Sequence, residues 1–261
     1  MTDRRERQKQ ARAAAKEAQR KAAARKELRR RITVGLGLGA AVAIFLLVIG
    51  TFSSSDENDL PEALEAFRNQ PTACDGSVPD PPTEMQFDEP INQALRADSE
   101  VTATLETSCG TIVMELDNAQ FPQTVSNFVF LARNGYYDGT AFHRVAPDFV
   151  IQGGDPMATG SGDPGYSIPD EVPSEGFVYE PGVVAMANSG RNTTGSQFFI
   201  VSGESAATLN PSFNVLGRVV EGMDVVERIA EIPTRTQPGA RERSYPTESI
   251  YLESVTITVD N

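Results

Sequence analysis

Residues 32–52, ITVGLGLGAAVAIFLLVIGTF, form a run of 21 without one charged side chain. No other stretch restricts this chain as strongly. Crossing a bilayer takes about 20 consecutive apolar residues, whereas core helices of soluble domains rarely sustain such a run. A cleaved signal peptide would end in a small-residue site of the A-x-A kind, and the exit here is Gly50-Thr51-Phe52-Ser53. No Cys follows closely, so lipoprotein processing is not indicated. The run reads as an uncleaved transmembrane anchor, and the rest of the chain folds on either side of it.

Charge divides at the same place. Residues 1–31 carry 13 Lys or Arg against 4 Asp or Glu, a net +9, and the remainder carries 10 against 32, a net −22. The next basic residue after the run is Arg68. Basic flanks stay on the cytoplasmic side, which predicts a cytoplasmic N-terminus and an extracytoplasmic remainder at the cell membrane. Residues 1–31 are helix formers without an apolar stripe, as in a solvated or lipid-surface helix. Headgroup attraction of about 1 kcal/mol per basic residue favours lipid. Neither an aromatic nor a motif supports a nucleic-acid partner.

Residues 53–99 are acidic and rich in proline, with Pro71, Pro79, Pro81, Pro82 and Pro90. That composition reads as a tether, and as free coil residues 53–100 would reach on the order of 40 Å. Within it DLPEALEAFRNQ predicts a short helix, with Asp59 as N-cap and Leu60, Leu64 and Phe67 on one face. Met85, Phe87 and Ile91 are apolar residues available to anchor the segment on the domain that follows.

The chain has two cysteines, Cys74 in the tether and Cys109 in the domain, and one histidine, His143. A structural zinc site needs four ligands, so no metal is expected. Both cysteines fall on the side expected to be oxidising, which favours a Cys74–Cys109 disulfide over two free thiols.

Residues 100–261 carry the pattern of one folded domain. VTATLET (101–107) and TIVMEL (111–116) alternate about a Ser-Cys-Gly turn and predict a β-hairpin. PQTVSNFVFLARN (122–134) predicts a helix with Val125, Phe128, Val129 and Ala132 inward, stopped by Gly135. Strands follow in 142–155, near 182–187 and 197–202, and at 215–220. A helix at 222–231 comes next, with Met223, Val226 and Ile229 or Ala230 facing inward, and then a long strand at 250–259. Many short strands with two helices predict a mostly β domain, a closed antiparallel barrel capped by helices.

Two stretches concentrate the chemistry. FHRVAPDFVIQGGD (142–155) sets His143, Arg144 and Gln152 among apolar residues before a Gly-Gly turn. MANSGRNTTGSQFFIV (186–201) mixes Asn188 and Gln197 with paired Phe198 and Phe199. Singly, an Arg on a strand is usually a surface charge and a Phe in an apolar run is usually core. As two long motifs in this order they resemble the signature of cyclophilin-type peptidyl-prolyl isomerases, over about residues 100–260. The resemblance implies an eight-stranded barrel with two helices. The short connection between Gly135 and His143 suggests a bacterial member.

The resemblance also implies a reaction, the rotation of X–Pro bonds. Its barrier of roughly 18–20 kcal/mol arises from amide resonance. No bond to substrate forms or breaks, so no nucleophile, base or cofactor is needed. Arg144 would donate to the amide nitrogen as it regains its lone pair in the twisted state. Phe149, Val150, Phe199 and Leu209 would line a proline pocket. Gln152 would bind substrate backbone and hold Arg144. Ala187 and Asn188 would bind the residue before proline through backbone groups, and Gln197 and Phe213 would edge the pocket. His143 matches the family position beside the Arg and reads as a wall residue rather than an acid or base. The chain departs from the family pattern at Ala146, usually a larger aliphatic residue, and at Phe213, often His or Tyr. It departs again at Thr208, where animal members often carry Trp, and this touches the rim that binds cyclosporin more than catalysis. The expected function is folding of exported proteins at X–Pro bonds. The alternative is a catalytically weak proline-peptide-binding module or chaperone.

Overall fold

The structure is a computed structural model that describes residues 61–237 and 239–260. Residues 1–60, with the apolar run 32–52, Asp59 and Leu60, lie outside the described residues. Among the described residues no helix is long and apolar enough to cross a membrane.

The order begins α1 (Glu62–Arg68), β1 (Glu100–Thr107), β2 (Gly110–Leu116), α2 (Pro122–Arg133), β3 (Thr140–Ala141), β4 (Arg144–Ala146) and β5 (Val150–Gly153). It continues β6 (Val183–Met186), β7 (Phe198–Val201), β8 (Val215–Glu221), α3 (Met223–Ala230), β9 (Thr234–Thr236), β10 (Arg243–Pro246) and β11 (Tyr251–Asp260). The first hairpin follows from alternation: β1 buries Val101, Ala103 and Leu105, and β2 buries Ile112, Met114 and Leu116. In α2 the proline stands at the first turn, where its missing N–H costs nothing, and Val125, Phe128, Val129 and Ala132 are buried as expected. In α3 the buried residues are Val225, Val226 and Ile229, while Met223 and Ala230 pack half-buried against the same core.

Among the described residues nine strands make one sheet, in the order β3-β11-β1-β2-β8-β6-β7-β5-β4, and β9 with β10 make a separate two-stranded sheet. The expectation of a closed eight-stranded barrel is corrected on both points, since the sheet has one strand more and its hydrogen-bonded ladder is open. Yet the two edges are consecutive in the chain, joined only by Phe142 and His143. Three residue steps span at most about 11 Å, whereas nine strands laid flat would part their edges by about 38 Å. The sheet must therefore curl until its edges nearly meet. They do not pair, because the Phe142 N–H goes to the Ile250 carbonyl and Ala141 bridges Asp155, just past the end of β5.

The segment before β1 has little regular structure but is docked. Phe67 of α1 is fully buried, edge-on to Tyr245 and Tyr251 at 6.1 Å each. Burying such a ring contributes roughly 1.5–3 kcal/mol. Cys74 is bonded to Cys109 in the β1–β2 turn, 35 residues away. Met85 and Phe87 pack against the main core, with Phe87 5.0 Å from Phe130. Ile91, expected as a third anchor, is 66% exposed instead.

Candidate active site

Side chains of a strand alternate between faces, and here both faces of one half of the sheet are apolar. On β7, Phe198 and Ile200 belong to the main core, while Phe199 and Val201 belong to a second cluster. β6 divides in the same way, Val184 and Met186 inward, Val183 and Ala185 outward. Ile151 of β5 and Val145 of β4 face the core, and Val150 and Ala146 face the second cluster. The paired phenylalanines of the sequence are thus split, one in the main core and one in the second cluster. Phe198 lies edge-on to Phe128, Tyr137 and Phe142, whereas Phe199 meets Phe213 edge-on at 5.4 Å. Phe149, Ala187, Leu209 and Phe213 stand half-buried along the rim of the second cluster.

A polar row crosses the same face. Strand register sets Arg144 of β4 opposite Gln152 of β5, and Gln152 opposite Phe199 of β7. Arg144 Nη1 donates to Gln152 Oε1 at 3.1 Å. Gln152 Nε2 donates to Gln197 Oε1 at 3.0 Å, and Gln197 Nε2 donates to the Gly162 carbonyl at 3.0 Å. The Arg144 guanidinium lies 5.6 Å from the Phe149 ring centroid. On its other side Nε and Nη2 donate to the two carboxylate oxygens of Glu242, at 2.8 Å each. Gly154, just past β5, has φ +82 and leaves no room for a Cβ, which would meet the Ser196 carbonyl at 2.7 Å. The Gly-Gly turn thus lets the chain end β5 tightly beside the row.

Ionisation states follow from burial and these contacts. Burial alone would raise the Glu242 pKa, but hydrogen bonds and charge from Arg144, with help from Ser244, outweigh it and hold the carboxyl below its ordinary value. His143 is buried, and its ring nitrogens make no hydrogen bond of ordinary geometry. Burial lowers its pKa; Asp155 opposes that shift and Arg144 adds to it. Tyr179 accepts from the Phe213 N–H at 3.1 Å and donates to the Phe213 carbonyl at 2.9 Å. Burial, partly offset by the Phe213 contact, pushes its pKa up to about 12, so it stays a neutral hydrogen-bonding post under the rim.

The structure brings Arg144, Gln152 and Gln197 into one hydrogen-bonded row, and Phe149, Val150, Ala187, Phe199, Leu209 and Phe213 into the adjoining cluster. His143 shares no hydrogen bond with them. The Ala187 N–H donates to the Gln197 carbonyl at 2.8 Å, so of its backbone groups only the carbonyl is left for a ligand among the described residues. Among the described residues, no hydrogen bond engages the backbone N–H or carbonyl of Asn188, whose side chain donates to the Ser212 carbonyl at 2.9 Å. Sequence reasoning missed Tyr179, which carries no signal beyond an aromatic in a polar loop. It also missed Glu242, one acid among many, 98 residues from its partner.

The chain is similar to known proteins. Residues 102–257 match the family described as cyclophilin type peptidyl-prolyl cis-trans isomerase/CLD. The chain is 46% identical over 133 residues to peptidyl-prolyl cis-trans isomerase ppi1 of Schizosaccharomyces pombe, covering 50% of this chain and 85% of that protein. It is 39% identical over 172 residues to peptidyl-prolyl cis-trans isomerase A of Mycobacterium tuberculosis, covering 60% of this chain and 92% of that one. A crystal structure of a Cryptosporidium parvum cyclophilin type peptidyl-prolyl cis-trans isomerase, in the presence of the dipeptide Ala-Pro, aligns with TM-score 0.54 at 30% identity. That match covers 61% of this chain and 99% of the other.

Proposed function

Because the chain belongs to the cyclophilin type peptidyl-prolyl cis-trans isomerase family and is a peptidyl-prolyl cis-trans isomerase, we propose that Arg144 carries its catalysis and that exported proteins are its clients. The observation behind this reading is the row itself. A guanidinium held by Gln152 stands at the edge of an apolar cluster containing Val150 and Phe199. The proline ring enters that cluster, between Phe149, Phe199, Leu209 and Phe213. The residue before proline lies along Asn188, whose backbone groups are unengaged among the described residues. Gln152 and Gln197 bind the flanking backbone.

As the X–Pro bond twists, conjugation is lost and the nitrogen becomes a pyramidal acceptor. An N–H of Arg144 then makes a hydrogen bond that the planar ground state cannot receive. An interaction present only in the transition state lowers the barrier without tightening the ground state. Arginine keeps its charge at any working pH. His143, neutral and buried, takes no proton in this scheme.

The apolar run and the charge divide support a single anchor at 32–52, a basic cytoplasmic segment 1–31 and an extracytoplasmic catalytic domain 100–261, and the short connection between Gly135 and His143 supports a bacterial enzyme. Its clients are X–Pro segments of exported or envelope proteins. The test is Arg144→Ala in the full chain. We expect kcat/KM on an X–Pro peptide to fall about 10²–10³-fold, as for loss of one transition-state donor, with the thermal midpoint nearly unchanged. Wild-type turnover in the folded variant would remove Arg144 from the mechanism.

A further inference from the structure

We propose that Glu242 is a positioning residue for Arg144, fixing the guanidinium so that its unused N–H groups face the apolar cluster. The inference rests on the reading of Arg144 as the substrate-facing donor.

A guanidinium has five N–H groups in a rigid planar fork. Three are occupied here: Nε and one on Nη2 by Glu242, and one on Nη1 by Gln152. Two remain unengaged among the described residues, one on each terminal nitrogen. Contacts on two edges of a plane, with the Phe149 ring nearby, fix both its position and its rotation. Gln152 alone would leave the fork free to turn about a single hydrogen bond.

Glu242 is itself held from outside the catalytic sheet. It immediately precedes β10, which packs beside β4, the strand that carries Arg144. The β9–β10 hairpin is tied across its strands, where Arg243 Nε donates to the Thr234 carbonyl at 2.6 Å and Thr234 Oγ1 to the Arg243 carbonyl at 3.2 Å. Tyr245 of β10 is buried against Phe67 and carries the Arg235 guanidinium 4.7 Å from its ring centroid. The carboxylate therefore reaches Arg144 from a fixed platform.

Two other roles compete. An ion pair between exposed side chains contributes little; here Glu242 is 49% exposed, but the Arg144 side chain is only 20% exposed and the contact is two-point. A latch that excludes substrate would have to consume the donors, and two N–H groups stay free. Charge also favours positioning. The twisted amide nitrogen is a neutral acceptor, so alignment of the N–H matters more than the net positive charge that Glu242 offsets.

The experiment compares Glu242→Ala, Glu242→Gln, Arg144→Ala and the Arg144→Ala/Glu242→Ala double variant in the full chain. Turnover is measured on an X–Pro peptide, with thermal midpoints and the Arg144 Nε–H resonance recorded alongside. We expect Glu242→Ala to lower kcat about three- to tenfold with KM within about twofold. Glu242→Gln keeps one acceptor oxygen and should fall between it and the parent. The Nε–H signal should lose its protection from solvent exchange in Glu242→Ala, and adding Glu242→Ala to Arg144→Ala should cost nothing further. Unchanged or raised kcat in folded Glu242→Ala, where Arg144→Ala is impaired, would overturn the positioning role alone, a rise marking a latch. The same loss in both backgrounds would also overturn it, since the effect would not pass through Arg144. Full turnover in Arg144→Ala would remove the reading of Arg144 and this inference with it.

Discussion

Arg144 and His143 are neighbours in sequence and opposites in environment. The arginine side chain is 20% exposed and has partners on two sides, Glu242 and Gln152. The histidine is buried without a hydrogen bond of ordinary geometry, and burial holds its pKa below the usual 6.5. As pH falls, the unfolded chain protonates this ring before the folded protein does. Above pH 6.5 the ring is neutral in both states and protonation adds no penalty to folding, whereas stability is lost progressively as pH falls through the lower folded value. Thermal midpoints measured across that window should decline in the parent, and His143→Phe should flatten this part of the decline. Turnover, by contrast, should show no step assignable to the ring. An essential ionisation abolished by His143→Phe in a folded protein would give the histidine a catalytic role that the geometry denies it.

At the scale of elements, the segment before β1 and the β9–β10 hairpin act as outer braces. α1 packs Phe67 against Tyr245 of the hairpin and Tyr251 of β11, and the Cys74–Cys109 bond ties the segment to the β1–β2 turn. Closing a loop of 35 residues contributes roughly 3–4 kcal/mol in the chain-entropy model. Protein purified without reductant should show no free thiol. Reduction should lower the urea midpoint by an amount equivalent to that contribution, while kcat stays within about twofold, because neither cysteine touches the polar row. Two titratable thiols in unreduced protein would remove the brace.

At the scale of the molecule, one covalent constraint shapes the domain: the two outermost strands of the sheet are separated by two residues. Curling the sheet gives β4, β5, β7 and β6 an inner face that joins the common core and an outer face available for a ligand. Charge organises the rest of the chain, with the net +9 before the apolar run and the net −22 beyond it. If that divide sets topology, protease added to bacterial spheroplasts should digest the catalytic domain and leave an epitope within 1–31 intact. A protected domain in intact spheroplasts would reverse or abolish the proposed orientation.

The linear order of residues determined the hairpin, the two helices of the domain and most residues of the polar row and its apolar cluster, because each rests on local chemistry. Alternation buries Val101, Ala103 and Leu105, a 3.6-residue period buries Val125, Phe128 and Val129, and two long motifs mark Arg144, Gln152 and Phe199. Alternation also implies that Phe198 and Phe199 part company, but it cannot say which of them faces the core. That depends on which side of the sheet α2 covers, a tertiary fact. The strand count, the open ladder and the use of the Ala187 N–H by Gln197 belong to the same category, since each is decided by pairing between distant segments. Glu242 is the clearest case. Nothing local distinguishes it from other surface acids, and it gains meaning only when β10 packs beside β4 and sets its carboxylate on the guanidinium of Arg144.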